Sequence, residues 1–381
     1  MAISVEGQYY LTISVAGKKD FIGETDLKEF TIIEKAGNTL PSFFLEFTSH
    51  EEELISILND GNDITVQLGK TKDTLLDILI TPTDLKSYRT SETEFSFTVT
   101  GLLAHLPYAN AARAKCTEKK SGVAVMSDIA KEYGFKFEGN IETSKDSQNW
   151  VQYGIPSKLF LDEVWLHSYV NDSFVGMGIS VDSRMIVKDM KKEIKAKNDA
   201  PDWRLVKVKS KENDITFLNN YIIENNSGLI NSWVGSGRER MIYNLPAATF
   251  EKYSATPSPI IALSKETALN KDMGKKFSGS NILSGNQDDN FWKAHQENLT
   301  NLALLSSFKI TVPCGNEFFP IKPLDVVFFK DMSVTNGLES NEYISGLYFT
   351  AKVVRTLKER VLSTYVEICR ESPNLVRNNA S

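Results

Sequence analysis

The feature that most limits what this chain can fold into is a dense succession of short, β-branched and aromatic segments in its first 106 residues. Six of them, Tyr9 to Ala16, Glu29 to Lys35, Ser42 to Ser49, Asp63 to Lys70, Leu75 to Leu85 and Glu94 to Leu103, are separated by turn-rich gaps, and several alternate apolar and polar residues with period two. A period of two is a strand signal. One short helix, Glu51 to Leu58, interrupts the run. The spacing predicts a small antiparallel barrel or sandwich.

The next block changes period. Ser121 is placed to cap a helix whose apolar residues Val123, Met126, Ile129 and Tyr133 recur at intervals of three and four before Gly134 stops it. A second helix follows at Ser157, with Phe160, Leu161, Val164 and Trp165 on one face. Phe174 to Met190 then reads as a hairpin turning at Asp182 and Ser183, and the lysine-rich run Lys191 to Asp199 reads as a solvated linker or face. Strands resume around Trp203 to Lys209 and Phe217 to Glu224, while Ala255 to Gly285 has little periodicity and is expected to be loop. A helix from Asp288 follows, with Phe291, Trp292, His295, Leu299, Leu302 and Ala303 as its face and Asp288 and Asp289 near its positive end. Strands run from there to the end.

The two strand-rich regions match in order and spacing. SFFLEF at Ser42 answers to SFKITV at Ser307, DITVQLGK at Asp63 to DVVFFK at Asp325, LITPTDL at Leu79 to YFTAKVV at Tyr348, and FSFTVTG at Phe95 to TYVEICR at Thr364. This pattern predicts a duplicated module. The expected fold class is α+β, mainly β, with two similar antiparallel β-barrel domains and smaller α+β domains attached. The expected division is 1–108 (first barrel), 109–200 (α+β), 201–255 with 306–372 (second barrel), 256–305 (insertion) and 373–381 (tail). Duplication has a symmetry consequence, since three chains with two equivalent modules each can close a ring of six similar positions.

Composition removes several function classes. Hydrophobic residues at 41% and charged residues at 24% are ordinary for a globular chain, and no run approaches the roughly 18 apolar residues of a spanning helix. No secretory leader is visible, so the chain is expected to stay in the cytoplasm where it is made. A net charge of -6 argues against a surface that grips nucleic acid. Cys116, Cys314 and Cys369 are too scattered for a disulfide framework or a metal site, and the four histidines, His50, His105, His167 and His295, have no zinc-ligand spacing.

Catalytic motifs are missing from the pattern. Gly69-Lys70-Thr71 lacks the first glycine of a phosphate loop and reads as a hairpin turn, and Gly176-Met177-Gly178 and Gly235-Ser236-Gly237 lack the third glycine of a dinucleotide fingerprint and read as turns. The adjacent acids Asp162-Glu163 and Asp288-Asp289 do not oppose one another across a cleft as a hydrolytic pair must. No catalytic, cofactor or metal residues are therefore expected. Trp233, in a glycine-flanked stretch followed by Arg238 and Arg240, has the composition of an interface anchor; a Trp packed on its own domain fits equally.

Taken together, SGVAVMSDIAKEYGFKF, QNWVQYGIPSKLFLDEVW, GISVDSRMIVKDM and the closing ISGLYFTAKVVRTLKERVLSTYVEICRE resemble the baseplate hub family of contractile tails, which includes T-even-like phage hub proteins, late-control D proteins and the N-terminal part of VgrG. Ser345-Gly346-Leu347-Tyr348 and Arg370 stand where that family has a Gly-x-Tyr-like step before its last strand. The resemblance spans about Tyr9 to Arg370. It implies a homotrimer forming a pseudo-sixfold torus in a virion tail baseplate, with a tail tube protein above, a central spike below and other baseplate proteins around it. DNA would pass through the lumen without specific binding. The lack of a spike-like sequence after Ser372 fits a phage hub better than a VgrG, and any wall-degrading activity is expected to belong to a partner. A carbohydrate- or receptor-binding β protein of a virion shares the strand-rich composition, and glycan binding without a ring would distinguish it.

Overall fold

The computed structural model describes residues 3–4, 10–16, 18–19, 22, 26–218, 220–229, 237–261, 274–283, 287–331, 342–359 and 361–374. The first half begins with the short β1 (Ile3–Ser4), then β2 (Tyr10–Val15), the short β3 (Lys18–Lys19), β4 (Leu27–Lys35), β5 (Ser42–Ser49), helix α1 (Glu53–Asn59), β6 (Ile64–Gly69), β7 (Leu76–Arg89) and β8 (Phe95–Leu103). The period-two pattern is what buries it: in β2, Leu11, Ile13 and Val15 point inward, and in β4 Phe30 and Ile32 do the same. Between β6 and β7 a tight turn replaces any phosphate loop. There the chain folds back so closely that a Cβ on Gly69 would sit 2.4 Å from the Thr74 carbonyl oxygen.

Helix α2 (Leu106–Asn110) leads into the central block, which contains β9 (Ala112–Lys120), α3 (Gly122–Glu132), β10 (Lys136–Gly139), β11 (Gln148–Pro156), α4 (Ser157–Leu166), β12 (Val175–Ile179), β13 (Arg184–Asp189) and α5 (Met190–Ala196). Ser121 caps α3 by accepting from the Ala124 N–H at 3.4 Å, and Gly134 ends the turn with φ +77°. The hairpin is the antiparallel pair β12 and β13, with Ser183 at φ 59° in its turn. Gly176 and Gly178 lie in β12, paired with β13, and not in a turn; the glycine at 176 answers to packing, since a Cβ there would fall 2.1 Å from Met190 Sδ. The lysine-rich run is a solvated helical face and not a linker, with Lys192, Lys195, Asn198 and Asp199 exposed. It forms α5, with Met190 and Glu193 buried and Lys188 Nζ 2.8 Å from Glu193 Oε1.

The second half is built from β14 (Trp203–Val206), β15 (Asp214–Thr216), β16 (Ile222–Asn225), β20 (Phe308–Cys314), β21 (Val326–Phe329), β22 (Gly346–Lys358) and β23 (Val361–Arg370). Between its strands lies a separate sheet in the order β18-β17-β19, made by β17 (Arg238–Asn244), β18 (Thr249–Ala255) and β19 (Lys276–Leu283), against which α6 (Phe291–Leu305) packs. Residues 238–255 therefore go with the insertion and not with the second half, and β19 occupies part of the stretch expected to be loop. The buried face of α6 also departs from the apolar pattern. Gln296, Asn298, Thr300 and Asn301 are buried, whereas Leu299, Leu302 and Ala303 are half-buried, and hydrogen bonds satisfy the three amide side chains. Asn298 alone accepts from the Val175 N–H at 2.9 Å and donates to the Leu166 and Ser168 carbonyls at 3.0 and 2.9 Å.

The two halves share one topology. Sheet neighbours run β2-β6-β7-β8-β5-β4 in the first and β14-β21-β22-β23-β20-β16 in the second, with the six strands in the same chain order. Register agrees with the sequence alignment in two ladders. Phe43 faces Gly101 as its counterpart Phe308 faces Arg370, and Ile64 faces Ile80 as Val326 faces Phe349. The first strand breaks the likeness, since β2 runs antiparallel to β6 while β14 runs parallel to β21.

Neither half closes into a barrel by a continuous ladder. All of these strands belong to one sheet of fifteen among the described residues, joined where β4 pairs with β22. The cause is the length of β22 and a bulge between Thr350 and Lys352, which bends it so that Gly346–Phe349 pairs with β21 and Lys352–Lys358 crosses to β4. In the second half, among the described residues, the circuit is completed by an isolated bridge, Phe217 to Cys314, with the Gly315 N–H donating to the Thr216 carbonyl at 2.9 Å and the Leu218 N–H to the Pro313 carbonyl at 2.8 Å.

Candidate assembly site

With no reaction centre implied by the sequence, the places where separate units meet are the sites to consider. The first is the seam between the halves. Along β4 the inward positions run Phe30, Ile32, Glu34, and along β22 they run Val353, Arg355, Leu357, so period two drives one charged residue from each strand into the core. Glu34 and Arg355 are 0% and 3% exposed and form an ion pair. The other guanidinium nitrogen of Arg355 donates to the Phe319 carbonyl at 3.0 Å and the Ile321 carbonyl at 2.6 Å, and the second oxygen of Glu34 accepts from the Val181 N–H at 2.9 Å. One ion pair thus ties both halves, the loop before β21 and the β12–β13 turn. A signal for it was present in the sequence: a charged residue at the inward position of each of two otherwise apolar alternations.

The second junction is between α6 and the central block. His167 and His295, distant in sequence, stack with ring centroids 4.6 Å apart, and Phe291 stacks on His167 at 3.7 Å. Burial, then the neighbouring His295, pushes the His167 imidazole down to about 3. Burial, then Arg240 and Arg238, pushes His295 down to about 4. Both rings are neutral at pH 7, and His167 Nδ1 donates to the Glu163 carbonyl at 2.8 Å. In the unfolded chain imidazoles titrate near ~6.5, so the unfolded state binds more protons below that pH and stability falls as acid is added. The loss is expected to begin near pH 6.5, to continue to about pH 4 for His295 and about pH 3 for His167, and at pH 5 to reach on the order of 2 kcal/mol for His167 alone. Urea unfolding at pH 7 and pH 5 checks it: His167→Gln should reduce the difference by about 2 kcal/mol, and an unchanged difference would contradict this account.

Of the residues expected at an interface, Trp233 lies outside the described residues. Arg238 and Arg240 sit two apart on β17, half-buried, with their pKa values lowered by loss of solvent. Arg240 meets a different tryptophan: its guanidinium lies 4.8 Å from the ring centroid of Trp292, and it donates to the Ser278 carbonyl at 3.1 Å.

The Gly346-Leu347-Tyr348 step near the C-terminus has a physical basis in this chain. Gly346 has φ +141°, and a Cβ there would lie 2.9 Å from Arg370 Nη1. That space lets the Arg370 guanidinium lie 4.2 Å from the ring centroid of Tyr348, which is fully buried and donates to the Ile344 carbonyl at 2.5 Å. Arg370 also donates to the Tyr343 carbonyl at 3.1 Å.

An apolar cleft of about 470 Å³ beside the seam, lined by Met177, Met190, Leu302, Phe349 and Cys369 among others, holds the Cys369 thiol protonated, since burial pushes it up to about 12. Among the described residues no cluster of three or more histidine, cysteine or acidic side chains is placed to hold a metal ion, and no helix is long and apolar enough to cross a membrane.

Fold comparison defines the class. The chain shares its architecture with phage tail proteins and with a component of the type VI secretion system. Over 96% of its length it superposes on a tail protein from Neisseria meningitidis, covering 97% of that chain with a TM-score of 0.58 at 11% identity. The 43 kDa tail protein of prophage MuSo2 from Shewanella oneidensis is matched over 96% of this chain and all of its own, with a TM-score of 0.59 at 11% identity. An Escherichia coli component of the type VI secretion system, itself described as structurally similar to T4 bacteriophage tail proteins, is matched over 94% of this chain and 77% of its own, with a TM-score of 0.52 at 11% identity. No protein-family model matches the sequence, and no curated relative matches it.

Proposed function

We propose that the chain is a structural, non-enzymatic subunit of a contractile-tail baseplate, acting as a hub in which three copies form a pseudo-sixfold ring. The observation that carries this reading is the repeated topology: six strands in one chain order and one neighbour order occur twice in a single polypeptide. Three such chains present six similar wall segments to a sixfold tube on one side while keeping only threefold symmetry for a central spike on the other. The tail fold of the solved structures supports the same reading. In the ring each half acts as a tube-like segment, DNA passes the lumen without specific contacts, other baseplate proteins surround it, and the location is the virion tail. Trp233, Arg238 and Arg240 are proposed to mark a contact with a neighbouring subunit or baseplate protein. The expected solution mass is three times the 42.7 kDa chain. Native mass measurement tests this, and a monomer at every concentration that also bound glycans would favour a receptor-binding role instead.

A further inference from the structure

The duplicated halves present equivalent strand edges, and only one of the two equivalent junctions is made inside the chain. That junction places the outer part of β22 on the free edge of β4, antiparallel, from Lys352 opposite Lys35 to Lys358 opposite Glu29. In the shared topology β22 corresponds to β7 and β4 to β16. The second junction would therefore join the outer part of β7, Asp84–Arg89, to β16.

Both edges are open among the described residues. Asp84–Arg89 pairs only with β8, and Ile222–Asn225 pairs only with β20. Like β22, β7 carries a bulge at its midpoint, between Pro82 and Asp84, which turns its outer part away from β6. Each edge also shows apolar side chains to solvent, with Tyr88 60%, Ile222 59% and Ile223 45% exposed. An uncovered strand edge bearing apolar residues is a template for pairing with another chain. The two edges do not pair within one molecule among the described residues. Six strands, β8, β5, β4, β22, β23 and β20, lie between them in the sheet, a path of roughly 34 Å along it at ~4.8 Å per strand step.

We propose that these edges are the two sides of one interface between copies, in which Asp84–Arg89 of one chain pairs antiparallel with Ile222–Asn225 of the next. The contact is head-to-tail, and a threefold rotation between successive copies closes it into a ring of three. Carrying the register of β22 on β4 across by the same alignment sets Tyr88 opposite Ile223 and Arg89 opposite Ile222. Arg89 then lies diagonal to Glu224 on the same face, a favourable cross-strand charge pair. The proposal rests on the trimeric reading and adds to it the segments that make the trimer.

Directly opposed antiparallel residues have Cα atoms about 4.5 to 5.5 Å apart, which suits a disulfide. In a background where the exposed Cys116 is replaced by serine, the double variant Tyr88→Cys/Ile223→Cys is expected to oxidise to a covalent species of three chains on a non-reducing gel. Either single variant should give none. A native trimer that yields no covalent species overturns the pairing and leaves the ring intact, whereas a folded monomer overturns both. As a second probe, Ile223→Asp should release monomers that stay folded, with the circular dichroism spectrum of the parent chain, and a persistent trimer would count against the interface.

Discussion

Replacing Arg355 by alanine is expected to lower the stability of the chain by about 3 to 5 kcal/mol, the cost of leaving a buried carboxylate without its counter-charge. Glu34 has no exposed surface through which water could compensate it. The truncation also strips the Phe319 and Ile321 carbonyls of their donor, so the loop before β21 loses its tie to the seam. Urea unfolding measures the effect. The reverse comparison is as informative, because replacing both members by apolar residues, as in Glu34→Leu/Arg355→Met, removes the uncompensated charge and should recover much of the loss. A loss below about 1 kcal/mol for Arg355→Ala would mean that the pair is hydrated and that the seam is weaker than its burial implies.

Tyr348→Ala is expected to cost a similar ~3 to 5 kcal/mol, combining the lost transfer of a fully buried ring with the cavity it leaves. The ring also receives the Arg370 guanidinium, so truncation leaves a largely buried cation facing a void. Tyr348→Phe keeps the ring and removes only the hydrogen bond to Ile344, and about 1 kcal/mol is expected. Thermal and urea unfolding of the two variants separates packing from hydrogen bonding; equal losses for both would contradict the assignment.

Period-two alternation placed nearly every strand of the first half, because there a single pattern decides both local structure and burial. The Ser42 and Ser307 segments, and the Asp63 and Asp325 segments, were legible as counterparts, and their ladders keep the aligned register. Closure was not legible. Whether a sheet closes on itself depends on where a long strand bends, and the bulge after Thr350 that sends β22 to β4 leaves no mark in composition. The polar buried face of α6 was hidden for a related reason, since Asn298 is buried by partners 123 to 132 residues away. At the seam the signal existed in Glu34 and Arg355, each an inward charge in an apolar alternation, but recognising them as one pair requires the topology. The stacking of His167 on His295 likewise appears only when α6 packs on the central block.

The central claim is that each polypeptide supplies two copies of one strand arrangement and that three polypeptides use them to imitate a hexagon. Averaged end-on particle images of the purified protein test it most directly. Three chains around an open centre, with six wall segments alternating in two slightly different shapes, are the expected result; single compact chains without a central opening, or a ring of any other number of subunits, would contradict it.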